Sequence, residues 1–138
     1  MSRIRACRGI LGGCMEYTFI IHGRLSGLNE LIAYNRTNMY KGAQLKKDSE
    51  NLVMTEIKRQ LHGLHIDNQV IIRYDFYEPN TKRDHDNVAS FAMKVIQDAL
   101  VRCGVLNNDG WKEIRGFSCD FNVDQKNPRI VVTLEEVE

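Results

Sequence analysis

The stretch from Lys82 to Trp111, KRDHDNVASFAMKVIQDALVRCGVLNNDGW, constrains this chain more than any other. Val88, Phe91, Ala92, Val95, Ile96, Ala99 and Leu100 recur at i, i+3, i+4 and i+7, which is one face of a helix. Such a stripe must be buried against another layer. Asp86 or Asn87 is the expected N-cap, and Gly104 stands where a helix stops. Just ahead of the helix, after the loop run Glu78-Pro79-Asn80-Thr81, Asp84 and Asp86 are two residues apart. In an extended segment they point to one side, roughly 6.6 Å apart. Two carboxylates held that way repel each other and invite a divalent cation between them.

A third carboxylate, Asp109, follows the turn after Gly104. A helix of about 16 residues runs about 24 Å, so Asp109 joins Asp84 and Asp86 only if the chain doubles back or a second subunit supplies it. Lys94 and Asp98 are four apart and so are surface neighbours. Lys94 falls roughly 140° from the centre of the apolar stripe, facing away from the core.

The run Arg83-Asp84-His85-Asp86-Asn87, then Lys94, Asp98-Ala99-Leu100, Gly104 and Asn108-Asp109 resembles the signature of RusA-type Holliday-junction resolvases. These are small, dimeric, magnesium-dependent endonucleases of phage and prophage origin that cut four-way DNA junctions. The resemblance implies that Asp84, Asp86 and Asp109 are catalytic and hold magnesium, with manganese as an alternative. It implies too that Lys94 is the essential helix lysine. It covers about 30 of the 138 residues, with a weaker match on both sides. Two features depart from the pattern. The Asp86-to-Lys94 spacing is longer by about one helical turn, and the first acid of the family's pair is Asn108 here.

The remainder reads as one domain. At 138 residues the chain can bury a core without staples, and 43% hydrophobic with 27% charged residues is ordinary for a globular protein. No apolar run approaches the length of a membrane span. A net charge of +1 does not announce a nucleic-acid binder, yet Lys46-Lys47, Lys58-Arg59 and Lys82-Arg83 are candidates for phosphate contact. The segment Tyr34-Asn35-Arg36-Thr37-Asn38-Met39-Tyr40 mixes amide, aromatic and basic groups, as a surface gripping sugar and phosphate would, with Arg36 its cation. Solvated surface and a polar helix edge are the plain alternatives for both features.

Residues 1–14 carry Arg3, Arg5 and Arg8, three glycines and no acid, so they read as a disordered arm or a misassigned start. Without them the net charge turns from +1 to −2. Cys7, Cys14, Cys103 and Cys119 form no CxxC pair, so zinc is not indicated and reduced thiols in a cytoplasmic protein are expected. His85, between the two acids, alternates to the opposite side from them.

Strands are expected at Glu16–Gly23, Gln69–Phe76, Trp111–Phe121 and Pro128–Val137. Helices are expected from Leu28, over Ala43–Leu61 and along the central stripe. In the second helix Leu45, Leu52, Val53, Ile57 and Leu61 should face the core. Asp75, inside a strand, is either a further ligand or an edge residue facing solvent. The order β-α-α-β-α-β-β describes an α+β (α/β-like) fold, a small mixed sheet with helices packed on it. Together the readings predict a metal-dependent endonuclease that makes paired, symmetric cuts in branched DNA as a homodimer during recombination and repair, without membrane association. The alternatives are a branched-DNA-binding module that does not cut, and an unrelated metal-dependent phosphoesterase.

Overall fold

The computed structural model describes the backbone of residues 3–6 and the whole of residues 15–137. The elements are β1 (Arg3–Ala6), β2 (Met15–His22), α1 (Leu28–Thr37), α2 (Met39–Leu61), β3 (Val70–Glu78), α3 (His85–Arg102), β4 (Ile114–Val123) and β5 (Arg129–Glu136). From residue 15 onward the order is the expected β-α-α-β-α-β-β. β1 lies within the stretch set apart as an extension and pairs antiparallel with β2. The remainder of that stretch, residues 1–2 and 7–14 with Cys7 and Cys14, lies outside the described residues.

The sheet runs β1-β2-β5-β3-β4. β3 and β4 are parallel, and every other neighbouring pair is antiparallel. A parallel pair needs a long crossover, and α3 supplies it. Period-two alternation then sorts the faces. Val70, Ile72, Tyr74 and Phe76 of β3, Phe19 and Ile21 of β2, and Ile130, Val132 and Leu134 of β5 turn to the helices and are buried. They meet the stripe of α3, which is buried at Val88, Phe91, Ala92, Val95, Ile96, Ala99 and Leu100. Burial of the larger apolar types among these contributes about 1.5–3 kcal/mol per side chain, and Val53, Ile57 and Leu61 of α2 complete the same core.

Several local expectations need correction. The N-cap of α3 is Asp84, not Asp86 or Asn87. Only Asp84 is therefore extended (φ −67°, ψ 160°), because His85 and Asp86 already lie in the helix. The two acids and His85 are thus arranged by a helix terminus rather than by strand alternation. α2 begins at Met39 instead of Ala43, since the Asn38 side chain accepts from the Tyr40 N–H at 2.8 Å and starts a new helix directly after α1. Leu52 is 48% exposed. The buried stripe is Val53, Ile57 and Leu61, and Leu52 stands about 100° off it.

Candidate functional site

A concavity of about 640 Å³ lies at the C-terminal ends of the parallel strands β3 and β4 and against the N-terminus of α3. In open α/β sheets ligands bind outside the carboxyl ends of parallel strands, and β3-α3-β4 is the one parallel unit of this sheet among the described residues. Its walls include Glu78 at the end of β3, Asp84, His85 and Asp86 at the start of α3, and Phe121 and Asn122 of β4. Asp84 makes no side-chain hydrogen bond to the first turn of its own helix, although aspartate in that position ordinarily does. Asp84 is exposed at the wall of the concavity. One Asp86 oxygen accepts from the Asn87 N–H at 2.9 Å.

Glu78 is the member of this site that sequence reasoning passed over. It is 8% exposed, and its Oε1 accepts from Arg24 Nη2 at 2.9 Å, Arg83 Nε at 3.0 Å and Arg83 Nη2 at 2.8 Å. Arg83 Nη1 also donates to the Leu25 carbonyl at 3.2 Å. The guanidinium of Arg83 is therefore spent on holding the acidic loop against β3 and the segment before α1. Lys82, beside it, is exposed. The signal for Glu78 was present in the alternation Val70, Ile72, Tyr74, Phe76, Glu78, in which a carboxylate closes an otherwise apolar face.

Asn87 of the signature run has a structural task. Its Oδ1 accepts from the Asn29 N–H at 2.9 Å and so caps α1, whose own N-cap residue, Gly27, has no side chain to do so. Gly27 makes room for that contact, because a Cβ there would lie 2.6 Å from Asn87 Oδ1.

Asp109 and Lys94 form a second polar centre along the body of α3. Gly104, at φ +77°, ends the helix, and the buried Val105 and Leu106 turn the chain back along it. The return carries Asp109 Oδ2 to 4.0 Å from Lys94 Nζ. Lys94 also donates to Asp98 Oδ1 at 3.1 Å, and Lys46 reaches Asp98 Oδ2 at 3.1 Å. The hydrogen bond to Asp98 and the charges of Asp98 and Asp109 raise the Lys94 pKa above the usual lysine value. Burial pushes the Asp98 carboxyl up, but the bonds from Lys46 and Lys94 outweigh it and hold the carboxyl low. Lys94 is thus protonated at neutral pH.

The three expected metal ligands are divided between these centres. Lys94 lies eight positions beyond Asp86, about 12 Å along the helix axis, and Asp109 stands at the Lys94 end. Among the described residues, no three His, Cys, Asp or Glu side chains are close enough together to hold a metal ion. Asp84 and Asp86 nevertheless offer two exposed carboxylates at one mouth. That is an adequate donor set for magnesium, which keeps waters and takes the rest of its oxygens from substrate phosphates.

The remaining candidates are spread more widely. Lys46 is engaged by Asp98, Lys47 is exposed on α2, and Arg36 is exposed at the end of α1. Tyr34, Met39 and Tyr40 around Arg36 are exposed as well, Tyr40 at 78%. Asp75 lies on the opposite sheet face from the acidic loop, in register with Asp120 and 3.8 Å from Arg73. Burial, with the charge of Asp120, raises its carboxyl above the usual range against the pull of Arg73. Asp75 is therefore no partner for Asp84 and Asp86 within this chain. Cys103 and Cys119 are unbridged and half-buried. No helix among the described residues is long and apolar enough to cross a membrane.

No protein-family model matches the chain, and comparison with curated proteins finds no match.

Proposed function

We propose that the protein is a magnesium-dependent endonuclease that resolves four-way DNA junctions as a homodimer. The single observation behind this reading is the mouth formed by Asp84 and Asp86 at the carboxyl ends of β3 and β4, with the Asp84 side chain unused by its own helix. In the proposed site Asp84 and Asp86 would hold the ion, with Asp109 of a second copy as the third carboxylate. Magnesium, when bound, offsets charge on the phosphoryl oxygens and favours ionisation of a water. Lys94, kept protonated by Asp98, presents a point charge to a phosphate. Trp111, 96% exposed, and Phe117, 55% exposed, border the same concavity as Asp109 and form the kind of apolar surface that a second subunit covers. A two-fold dimer matches the symmetry of two paired cuts. Arg36, Lys47 and Lys82, with Tyr34 and Tyr40, supply exposed cations and aromatics for the DNA backbone and unpaired bases.

The test is a gel assay on a mobile four-way junction and a matching linear duplex, with magnesium or with chelator. Symmetric nicks on the junction alone, abolished by chelator and by Asp84→Asn, are the expected result. Turnover of simple phosphoesters without preference for branches would replace this reading with that of a general phosphoesterase. The separation of Asp109 from Asp84 and Asp86 within one chain, together with Asn108, favours a second reading, a junction-binding module that does not cut. Tight junction binding without nicks would establish it.

A further inference from the structure

His85 carries no role in the proposed chemistry, yet its exposed ring in the concavity is stacked on an aromatic neighbour. Its imidazole lies on the Phe121 ring with centroids 4.0 Å apart and planes 5° from parallel. Phe121 stacks on Phe76 at 5.3 Å and 12°, and Phe76 on Tyr74 at 6.1 Å and 13°. Tyr74 is wholly buried and takes a hydrogen bond at its hydroxyl from Gln97 at 3.1 Å. Four rings therefore form a ladder from the core to the surface, with His85 as the exposed last rung inside the concavity. A flat group docking on that rung meets a surface already fixed by the rings below it, and little ordering remains to be done.

The walls restrict what that group is. Asp84 and Asp86 line the concavity and repel an unaccompanied anion, while Glu78 and Arg83, also in its walls, are paired with each other. Asn80 and Asn122 offer amides, the side chains that pair with base edges, although one Asn122 N–H is used on the Phe76 carbonyl at 3.5 Å. Asn80 spends its Oδ1 on the Lys82 N–H at 3.0 Å, which leaves its NH₂ to donate. A neutral, planar, hydrogen-bonding ring is welcome here, and a phosphate belongs at the mouth beside a cation. We infer that the concavity receives one unstacked nucleobase of branched or single-stranded DNA, with the His85 ring as its stacking platform. The inference rests on the nucleic-acid part of the reading above and adds a base-contacting residue to it.

The test uses full-length protein in chelator, where cutting is silent. The substrate is a four-way junction with 2-aminopurine placed in turn at each nucleotide flanking the branch. Wild type should change the 2-aminopurine fluorescence at one or two positions. His85→Ala should abolish that change and weaken junction binding on the order of ten-fold, while His85→Tyr or His85→Phe retains it. Thermal unfolding of each variant checks that the fold is intact. An unchanged signal in His85→Ala overturns the inference, as does its loss in both aromatic variants, a wild type with no responsive position, or a wild type that does not bind DNA. A His85-dependent signal in a protein that never cuts in magnesium sustains the inference and removes the nuclease reading alone.

Discussion

Lys94 Nζ lies 4.0 Å from Asp109 Oδ2, and this contact records how far the chain after α3 folds back. The return ends beside the middle of the helix, short of Asp84 and Asp86 at its start. If the three acids serve one metal, a second subunit must close the distance. Mixing an Asp84→Asn protein with an Asp109→Asn protein distinguishes the arrangements. A shared site leaves each mixed dimer one intact set of acids, so junction cutting should reappear on mixing two inactive variants. Continued inactivity of the mixture, with subunit exchange verified, would rule out sharing.

Lys94 should act as a fixed charge. Its hydrogen bond to Asp98 and the neighbouring charges of Asp98 and Asp109 raise its pKa, so it stays protonated across the neutral and mildly alkaline range. Lys94→Ala should slow junction cutting by about two orders of magnitude, and Lys94→Arg should recover part of the loss. Asp98→Asn should bring the Lys94 pKa down, as read by NMR titration of the side chain. A wild-type cutting rate that follows Lys94 deprotonation between about pH 7 and 9 would contradict the fixed-charge role.

The Glu78 clamp should matter to stability. Arg83→Ala removes two of the three N–H donors on Glu78 Oε1 and leaves a largely buried carboxylate with Arg24 alone. The expected loss is about 1–3 kcal/mol in urea unfolding, with looser protection of the loop 79–84 in hydrogen exchange. A variant as stable as wild type would show that Arg24 and water suffice.

Gly27 and Asn87 should be coupled. Gly27→Ala forces a Cβ against Asn87 Oδ1 and disturbs the cap on the Asn29 N–H. Each of Gly27→Ala and Asn87→Ala should cost about 1 kcal/mol, and the double variant less than the sum. Strict additivity in the cycle would mean that the cap contributes little.

His65 gives the fold a pH dependence. Its Nδ1 lies 2.7 Å from the Gly104 carbonyl and its Nε2 2.8 Å from Asp67 Oδ1, so only the protonated ring donates to both. The bond to Gly104, then that to Asp67, raises its pKa above the usual value. The stabilisation is complete below the unfolded value of about 6.5 and is lost as pH rises through the folded value. The Tm difference between wild type and His65→Ala should be largest near pH 6 and shrink above neutrality. A difference that is flat between pH 5.5 and 8.5 would exclude the imidazolium.

The local order was legible because it is written in short-range periodicity. The α3 stripe, the alternation in β3 and the stop at Gly104 depend only on 3.6- and two-residue repeats, and they fix which faces are apolar. That was enough for the element order and the α+β layering, whereas Asp84, Asp86, Lys94 and Asp109 stand out together only through the resemblance to a family signature. Leu52 and the start of α2 were misread because a stripe's centre and a cap's choice depend on what the helix packs against.

What the sequence by itself determined is therefore the order of helices and strands from residue 15 onward, and which carboxylates stand near the ends of those elements. Only the tertiary structure decided which of them meet. The parallel pairing of β3 with β4 brings Phe121 and Asn122 to the acidic loop, and Arg24 and Arg83 converge on Glu78 from distant segments. It also carries Asp75 to the far face and leaves Asp109 beside Lys94. Contacts of this kind follow from strand order and from the path of a turn, and no local repeat encodes either of them.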